Sequence, residues 1–282
     1  MLHISIAAEP LFNIGPLIVT NSLLTTWVTM ALVIFLVVKT TKKLSVVPVS
    51  AEQNLWEMII DFFEDLTVTV SGQEKARIFF PLVTTFFLFI LSMNWIGLLP
   101  GVGTIGKEIP INHGDSKSGA QTSNQPFELV KPSYALEDSK KNIGFEEQET
   151  ELIPFLRAGT ADLNTTLALA LIAMAAIQFY AVKYVGWKDY LTKFFNFSGP
   201  IEFFVGILEL ISEFAKIISF AFRLFGNIFA GEVLLVVIIF LIPIVVPVPF
   251  LGMEIFVGVI QAFVFSMLTL VFLSIATEKH VH

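Results

Sequence analysis

Phe222-Arg223-Leu224-Phe225-Gly226-Asn227, with Glu232 five residues further on, places a permanent cation inside a long apolar stretch. A guanidinium at the centre of a bilayer helix costs about 2.5 to 3.5 kcal/mol on insertion scales, so such a residue faces a protein partner or a wet cavity. Arginine also keeps its proton at physiological pH. Arg223 can therefore repel cations or attract an anion, but it cannot relay protons. The bland alternative is a helix-end arginine reaching for the interface. Against it, about twenty mostly apolar residues lie on each side of Arg223, enough for a full crossing.

Other polar residues share this neighbourhood. Glu202, Glu209, Glu213, Lys216, Arg223 and Asn227 follow one another at steps of seven, four, three, seven and four, which sets them on one helix face. A polar stripe leading to a buried cation is what a water-accessible groove requires. Beyond Arg223, Glu232 and Glu254 stand at equal distances from a proline-rich turn near Pro243, and Arg223 and Gln261 at nearly equal ones. An antiparallel helical hairpin would place each pair at one level, the two levels nine residues or about 13 Å apart. Two carboxylates in reach of each other away from water do not easily both ionise, so together they can hold one proton. The alternative is two acids reaching water at the interface. Nine residues are about two and a half turns, so in a straight helix Glu232 points away from Arg223. Either the helix distorts near Gly226 and Gly231, or the acids serve a different cavity from the arginine's. Small side chains at Gly226, Ala230 and Gly231 allow another helix to approach closely.

These groups need a membrane scaffold. In 282 residues, 55% are hydrophobic, 29 are phenylalanine and only 15% are charged, against about 25% charged in a soluble chain. The chain reads as a single all-α polytopic membrane domain over 1–282. It has five transmembrane segments and one in-plane amphipathic helix, the last two segments forming a long tilted hairpin. With no cysteine there is no disulfide and no thiolate chemistry. Histidines stand only at 3, 113, 280 and 282, outside the spans, so neither a metal nor a cofactor is expected in the membrane. The net charge of −7 lies largely in one interior loop and argues against nucleic acid. The first ten residues lack a basic n-region, so the N-terminus reads as mature.

The first span, 21–39, is followed by Lys39, Lys42 and Lys43, which mark a cytoplasmic end and put the N-terminus outside. Over 51–70, Leu55, Ile59, Phe62, Phe63 and Leu66 oppose Glu57, Asp61, Glu64 and Asp65 at helical period. Helices that bind a membrane surface by themselves carry basic polar faces. This acidic one reads as an in-plane cytoplasmic helix held by protein contacts. Lys75 and Arg77 precede the second span, 78–99. The polar stretch 101–157 reads as an outer-side loop. Its Gly101-Val-Gly-Thr-Ile-Gly106-Lys107 imitates a phosphate-binding loop until Glu108 takes the metal-binding Ser or Thr position. Thr160-Ala-Asp162-Leu-Asn164-Thr-Thr opens the third span, 160–184, and Lys183, Lys188 and Lys193 mark the inside again. Asp162 is either a helix N-terminal carboxylate or a functional one; spacing does not decide. The fourth segment, 200–241, would be about 60 Å long and must tilt or bend. The fifth, 250–276, returns to a cytoplasmic C-terminus.

Arg223-Leu-Phe-Gly226-Asn227, Ala230-Gly231-Glu232 and Gln261-Ala-Phe, supported by Asn94-Trp-Ile-Gly-Leu-Leu-Pro and the 160–166 stretch, resemble subunit a of the F-type ATP synthases. The resemblance implies a non-catalytic, proton-translocating stator subunit facing a ring of c subunits, each carrying one membrane-buried carboxylate. Peripheral-stalk b subunits, the rest of the complex and membrane lipid would be its other partners. It implies that Arg223 meets the ring carboxylate and that Glu232, Glu254, Asn164 and Asp162, with Gln261 and Asn227, line an outer half-channel. The stripe of Glu202, Glu209, Glu213 and Lys216 would border an inner one. The membrane implied is an energy-transducing one, the bacterial plasma membrane. Relatives vary at the positions of Glu232 and Glu254, so the resemblance does not choose which holds the proton. An ion-coupled secondary transporter would also keep a buried Arg and Glu, but five unequal spans do not divide into the repeats such proteins show. An intramembrane hydrolase would need a His-Glu-x-x-His motif, which is absent.

Overall fold

The computed structural model describes residues 8–15, 17–42, 50–99, 102, 105–110, 150–194, 199–242 and 246–278. Lys43, most of the 101–157 stretch, Pro243 and all four histidines lie outside them. Among the described residues five helices are long and apolar enough to cross a membrane. In chain order these are α1 (Asn21–Thr41), α2 (Ala51–Gly97), α3 (Leu163–Val185), then, after a short α4 (Trp187–Phe194), α5 (Pro200–Leu241) and α6 (Pro247–Ala276). Among the described residues two small antiparallel strand pairs accompany them: β1 (Pro10–Ile14) with β2 (Leu17–Thr20), and β3 (Gly106–Pro110) with β4 (Thr150–Pro154). Asn21 ties both to the start of α1, its backbone N–H donating to the Glu9 carbonyl and its side chain to the Pro154 carbonyl. This is the hairpin end of the bundle. At the opposite, lysine end, Lys75 donates to the carbonyl and hydroxyl of Thr277 at the C-terminus of α6, and lies 5.6 Å from the ring centre of Tyr184. A cation at a helix C-terminus satisfies carbonyls that have no intrahelical partner.

The structure differs from the sequence reading in its joints. The segments expected at 51–70 and 78–99 are two helical arms that meet directly at a kink at Gly72, whose φ of 76° and ψ of 162° are readily adopted only by glycine. The 51–71 arm packs beside α6 and the second limb of α2: the Phe63 ring lies 4.6 Å from Phe87, Phe62 6.1 Å from Phe263, and Ser274 donates to the Val70 carbonyl at 3.0 Å. Residues 106–110 and 150–154 of the expected loop are paired strands. The third helix starts at Leu163, after a 3-10 turn at Gly159–Ala161. Gly186, at φ 101°, ends it, and the eight-residue α4 follows, which periodicity over so short a length did not signal. The last helix begins at Pro247 rather than Phe250, because the first turn of a helix needs no N–H donor there.

Packing is most extensive between α2 and α6, and between α3 and α5. Ala170 and Ala173 of α3, Ala221 of α5 and Ala262 of α6 are fully buried. Small residues at helix crossings let backbones approach where lipid supplies no hydrophobic drive. Around them Phe79, Val83, Ile90, Leu224, Leu270 and Leu273 fill the core. Outward-facing Phe179, Phe204, Ile211, Phe214 and Phe240 remain exposed, a surface suited to lipid.

A Cβ at Gly72 meets no atom but forces an L-residue into left-handed backbone. We expect Gly72→Ala to destabilise the detergent-solubilised protein by about 1 to 3 kcal/mol. Gly252→Ala, at an equally open helical position, should cost nothing. Thermal unfolding of the two variants checks this.

Candidate functional site

Arg223 lies on an exposed face of α5 with Phe222, Gly226, Asn227 and Ala230. Its Nη2 donates to Ser219 Oγ at a long 3.4 Å, and among the described residues no carboxylate pairs with it. Beside it runs a narrow cleft lined by Phe220, Arg223, Leu224, Gln261, Phe265 and Leu268. The cleft exists because α5 and α6 are antiparallel with Phe220 packed edge-on against Phe265, ring centres 4.9 Å apart. Along the same register Gly231 meets Glu254 so closely that a Cβ at 231 would overlap the carboxylate. Arg223 and Gln261 therefore share one level, and Gly231 and Glu254 another.

At the hairpin-end level Glu254 is buried. Glu232 turns instead to Arg157: Nε stands 3.3 and 3.4 Å from its two carboxylate oxygens, and Nη2 3.3 Å from Oε2. The sequence reading gave Glu232 a second carboxylate as its companion, but the structure gives it a cation. Asp162 caps α3. Its Oδ1 accepts from the Asn164 backbone N–H at 3.1 Å, and its Oδ2 from Ser22 at 2.8 Å and Thr165 at 3.3 Å, which fixes α1 to α3. Asn164 itself is exposed. Asn94, buried, donates to the Gly258 carbonyl at 3.0 Å and accepts from Thr160 at 2.7 Å, joining α2, α6 and the 3-10 turn.

A second cluster forms on the lysine-end side of Arg223. Lys216 donates to Glu213 Oε1 at 2.7 Å and lies 5.1 Å from the ring centre of Phe272. Gln178 of α3 donates to Glu213 Oε2 at 2.8 Å and accepts from the Tyr190 hydroxyl of α4. Burial and the charges of Glu213 and Glu209 push the Tyr190 phenol up to about 12, so it stays a donor. Glu202 folds back over Gly199 at the start of α5, beyond this cluster.

Along α5, then, Lys216 lies seven residues before Arg223 and Glu232 nine after it, roughly 10 and 13 Å along the axis. Between the two clusters lie Arg223, Gln261 and the apolar side chains of the cleft. Carboxylates, a phenol and amides at either end can hold water and carry protons; the arginine between them cannot. Sequence reasoning missed Arg157, Gln178 and Tyr190. Arg157 stood at the edge of a presumed loop, though an arginine immediately before a span-opening motif was a usable signal. Gln178, one polar side chain inside an apolar span, was another.

A model of the family described as ATP synthase A chain matches residues 23–274. ATP synthase subunit a of Moorella thermoacetica is 28% identical over 270 residues, covering 96% of this chain and 96% of its own length.

The raised Tyr190 value carries a sign. Unfolded, the phenol ionises near its usual 10; folded, only near 12. The unfolded state therefore binds fewer protons between those values, and stability falls as pH rises from about 10 to 12. Denaturation across that window should show the loss in the parent protein, and Tyr190→Phe should remove this component.

Proposed function

The chain belongs to the ATP synthase A chain family, and on that premise we propose that it is the proton-translocating stator subunit of the membrane sector, with Arg223 acting on a carboxylate of a rotating c-ring. The carrying observation is Arg223 itself, a cation on an exposed helix face with no carboxylate partner among the described residues and a polar cluster on each side. A carboxylate brought to about 4 Å from it gains about 4 kcal/mol at an effective dielectric of about 20. That favours the ionised form, so a ring carboxylate arriving protonated releases its proton there.

Two routes serve the exchange. An outer route at the hairpin end is lined by Glu232, Glu254 and Asn164, with Asp162 fixing the turn and Gln261 and Asn227 flanking the arginine. An inner route at the lysine end follows Glu202, Glu209, Glu213 and Lys216. Because Arg223 neither accepts nor releases a proton, ions cannot pass directly from one route to the other. Net flux requires the ring to turn.

The lysine end is placed in the cytoplasm by the positive-inside rule, with the N-terminus outside, in an energy-transducing membrane of the bacterial plasma-membrane type. The 51–71 arm lies against the inner surface beside a tilted α6. Peripheral-stalk b subunits and lipid cover other faces. In this reading the chain catalyses no bond-making itself.

Arg223→Ala should abolish both ATP-driven proton pumping and ATP synthesis in the reconstituted complex while the subunits still co-purify. Normal coupled synthesis in that variant would contradict the proposal.

A further inference from the structure

Three helices converge on the Glu213 carboxylate. On its own helix Lys216 Nζ donates to Oε1 at 2.7 Å, and from α3 the Gln178 amide donates to Oε2 at 2.8 Å. From α4 the Tyr190 hydroxyl donates to the Gln178 side-chain carbonyl. The direction of this relay follows from its end groups. A carboxylate accepts and does not donate, so the amide turns its NH2 to Glu213 and its carbonyl to the phenol. Burial and the charges of Glu213 and Glu209 push the phenol up to about 12, so it keeps the proton it donates. Gly186, at φ 101°, ends α3 and redirects the chain into α4, where the Tyr190 backbone N–H donates to the Gly186 carbonyl at 3.0 Å. Other titratable groups on the helices packed against α5 point elsewhere. Tyr180 and Tyr184 of α3 face Phe79 of α2, with Lys183 against the Tyr180 ring and Lys75 against that of Tyr184. Lys188 and Asp189 of α4 are exposed, Glu209 is half-buried one turn before Glu213, and α6 offers the ring of Phe272, 5.1 Å from Lys216 Nζ.

We propose that Gln178 and Tyr190 are positioning residues that lock Glu213 onto Lys216 as its counter-charge, so that the Lys216 charge is cancelled and a rotor carboxylate meets its uncompensated cation at Arg223. This rests on the two-route reading and concerns the inner route. Lys216 stands seven residues before Arg223 on the same helix face, about 10 Å nearer the lysine end. A rotor carboxylate level with Arg223 must be ionised there, yet regain a proton where the inner route reaches it. A bare ammonium about 10 Å away, at an effective dielectric of about 20, disfavours that protonation roughly tenfold. A neutral pair does not. Among the described residues Lys216 has Glu213 as its one carboxylate partner, and Glu213 has Lys216 and Gln178 as its donors. The amide of Gln178, inside an otherwise apolar span, thereby has both of its polar ends engaged. Neither Gln178 nor Tyr190 gains or loses a proton in this role.

ATP-driven proton pumping by the complex in vesicles, followed as a function of pH on the lysine side, tests this. The quantity read is the pH at which pumping falls to half on the alkaline side. Glu213→Gln should lower it by about one unit, because Lys216 is then uncompensated and a rotor carboxylate is harder to protonate. Adding Lys216→Gln should bring it back. Gln178→Met and Tyr190→Phe remove hydrogen-bonding groups without adding charge, and should lower it by less. Once Glu213→Gln and Lys216→Gln are both present, neither should move it further, whereas a side chain that only fills space would act alike in both backgrounds. Tyr190→Phe removes a single oxygen and carries the comparison should Gln178→Met not assemble. A midpoint unmoved in Glu213→Gln, or not restored by Lys216→Gln, overturns the role of the pair. A midpoint unmoved in both Gln178→Met and Tyr190→Phe, or moved equally in the two backgrounds, overturns the role of the relay. An Arg223→Ala complex that still couples pumping to ATP hydrolysis sinks the two-route reading; an unmoved midpoint with the Arg223 requirement intact sinks only the present assignment.

Discussion

A charge inside hydrocarbon must be partnered or must be there for a purpose, and the arrangement of this chain follows from that constraint. Arg157 is given Glu232, Lys216 is given Glu213, Lys75 is given the end of α6, and Asp162 is saturated by three donors. Arg223 is different. It stands on the outward face of the apolar helix α5, and among the described residues its guanidinium bonds only to Ser219. In the proposed reading a partner outside the chain completes it, and the small residues Gly226 and Ala230 beside it leave a surface where another helix backbone can come close.

Holding Arg223 at a fixed depth falls to the α5–α6 pair and the polar contacts that brace it. Edge-on and tilted ring contacts of Phe220 with Phe265 and Phe272 fix the register on one side of the cleft, and the Gly231–Glu254 contact fixes it on the other. Asn94 then ties α6 to α2 and the 3-10 turn, and Ser22 ties α1 to Asp162. Apolar surface does little to choose between helix partners in lipid, so these hydrogen bonds and the buried alanines carry a larger share of the specificity than they would in a soluble core.

Much of this was readable from residue order. Spans announce themselves by length and hydropathy. A hairpin's register follows from symmetry about its turn, which is why residue order sets Arg223 level with Gln261 and Glu254 level with Glu232, one residue from the Gly231 that Glu254 meets. The steps between Glu209, Glu213, Lys216 and Arg223 are local to one helix. What order could not give was any contact made between distant segments. Arg157 reaches Glu232 only because a strand, a turn and α1 deliver it there, and Tyr190 reaches Glu213 only through Gln178 of another helix. A break between the amphipathic 51–70 segment and the apolar 78–99 span was legible from the change of pattern, but not that the joint is a single glycine with unusual dihedrals at 72. Asp162 sat between two readings, and only the positions of Ser22, Asn164 and Thr165 around its carboxylate show how fully the cap engages it.

In the proposed mechanism Arg223 divides two water routes that open on opposite sides of the membrane. The chain has no cysteine, so single cysteines can be placed without background. The decisive measurement is labelling of Lys216→Cys and Glu232→Cys, in oriented membrane vesicles, by a membrane-impermeant thiol reagent added from one side at a time. The first should react from the lysine side only and the second from the hairpin side only. Labelling of both positions from the same side would mean one continuous cavity, and Arg223 would divide nothing.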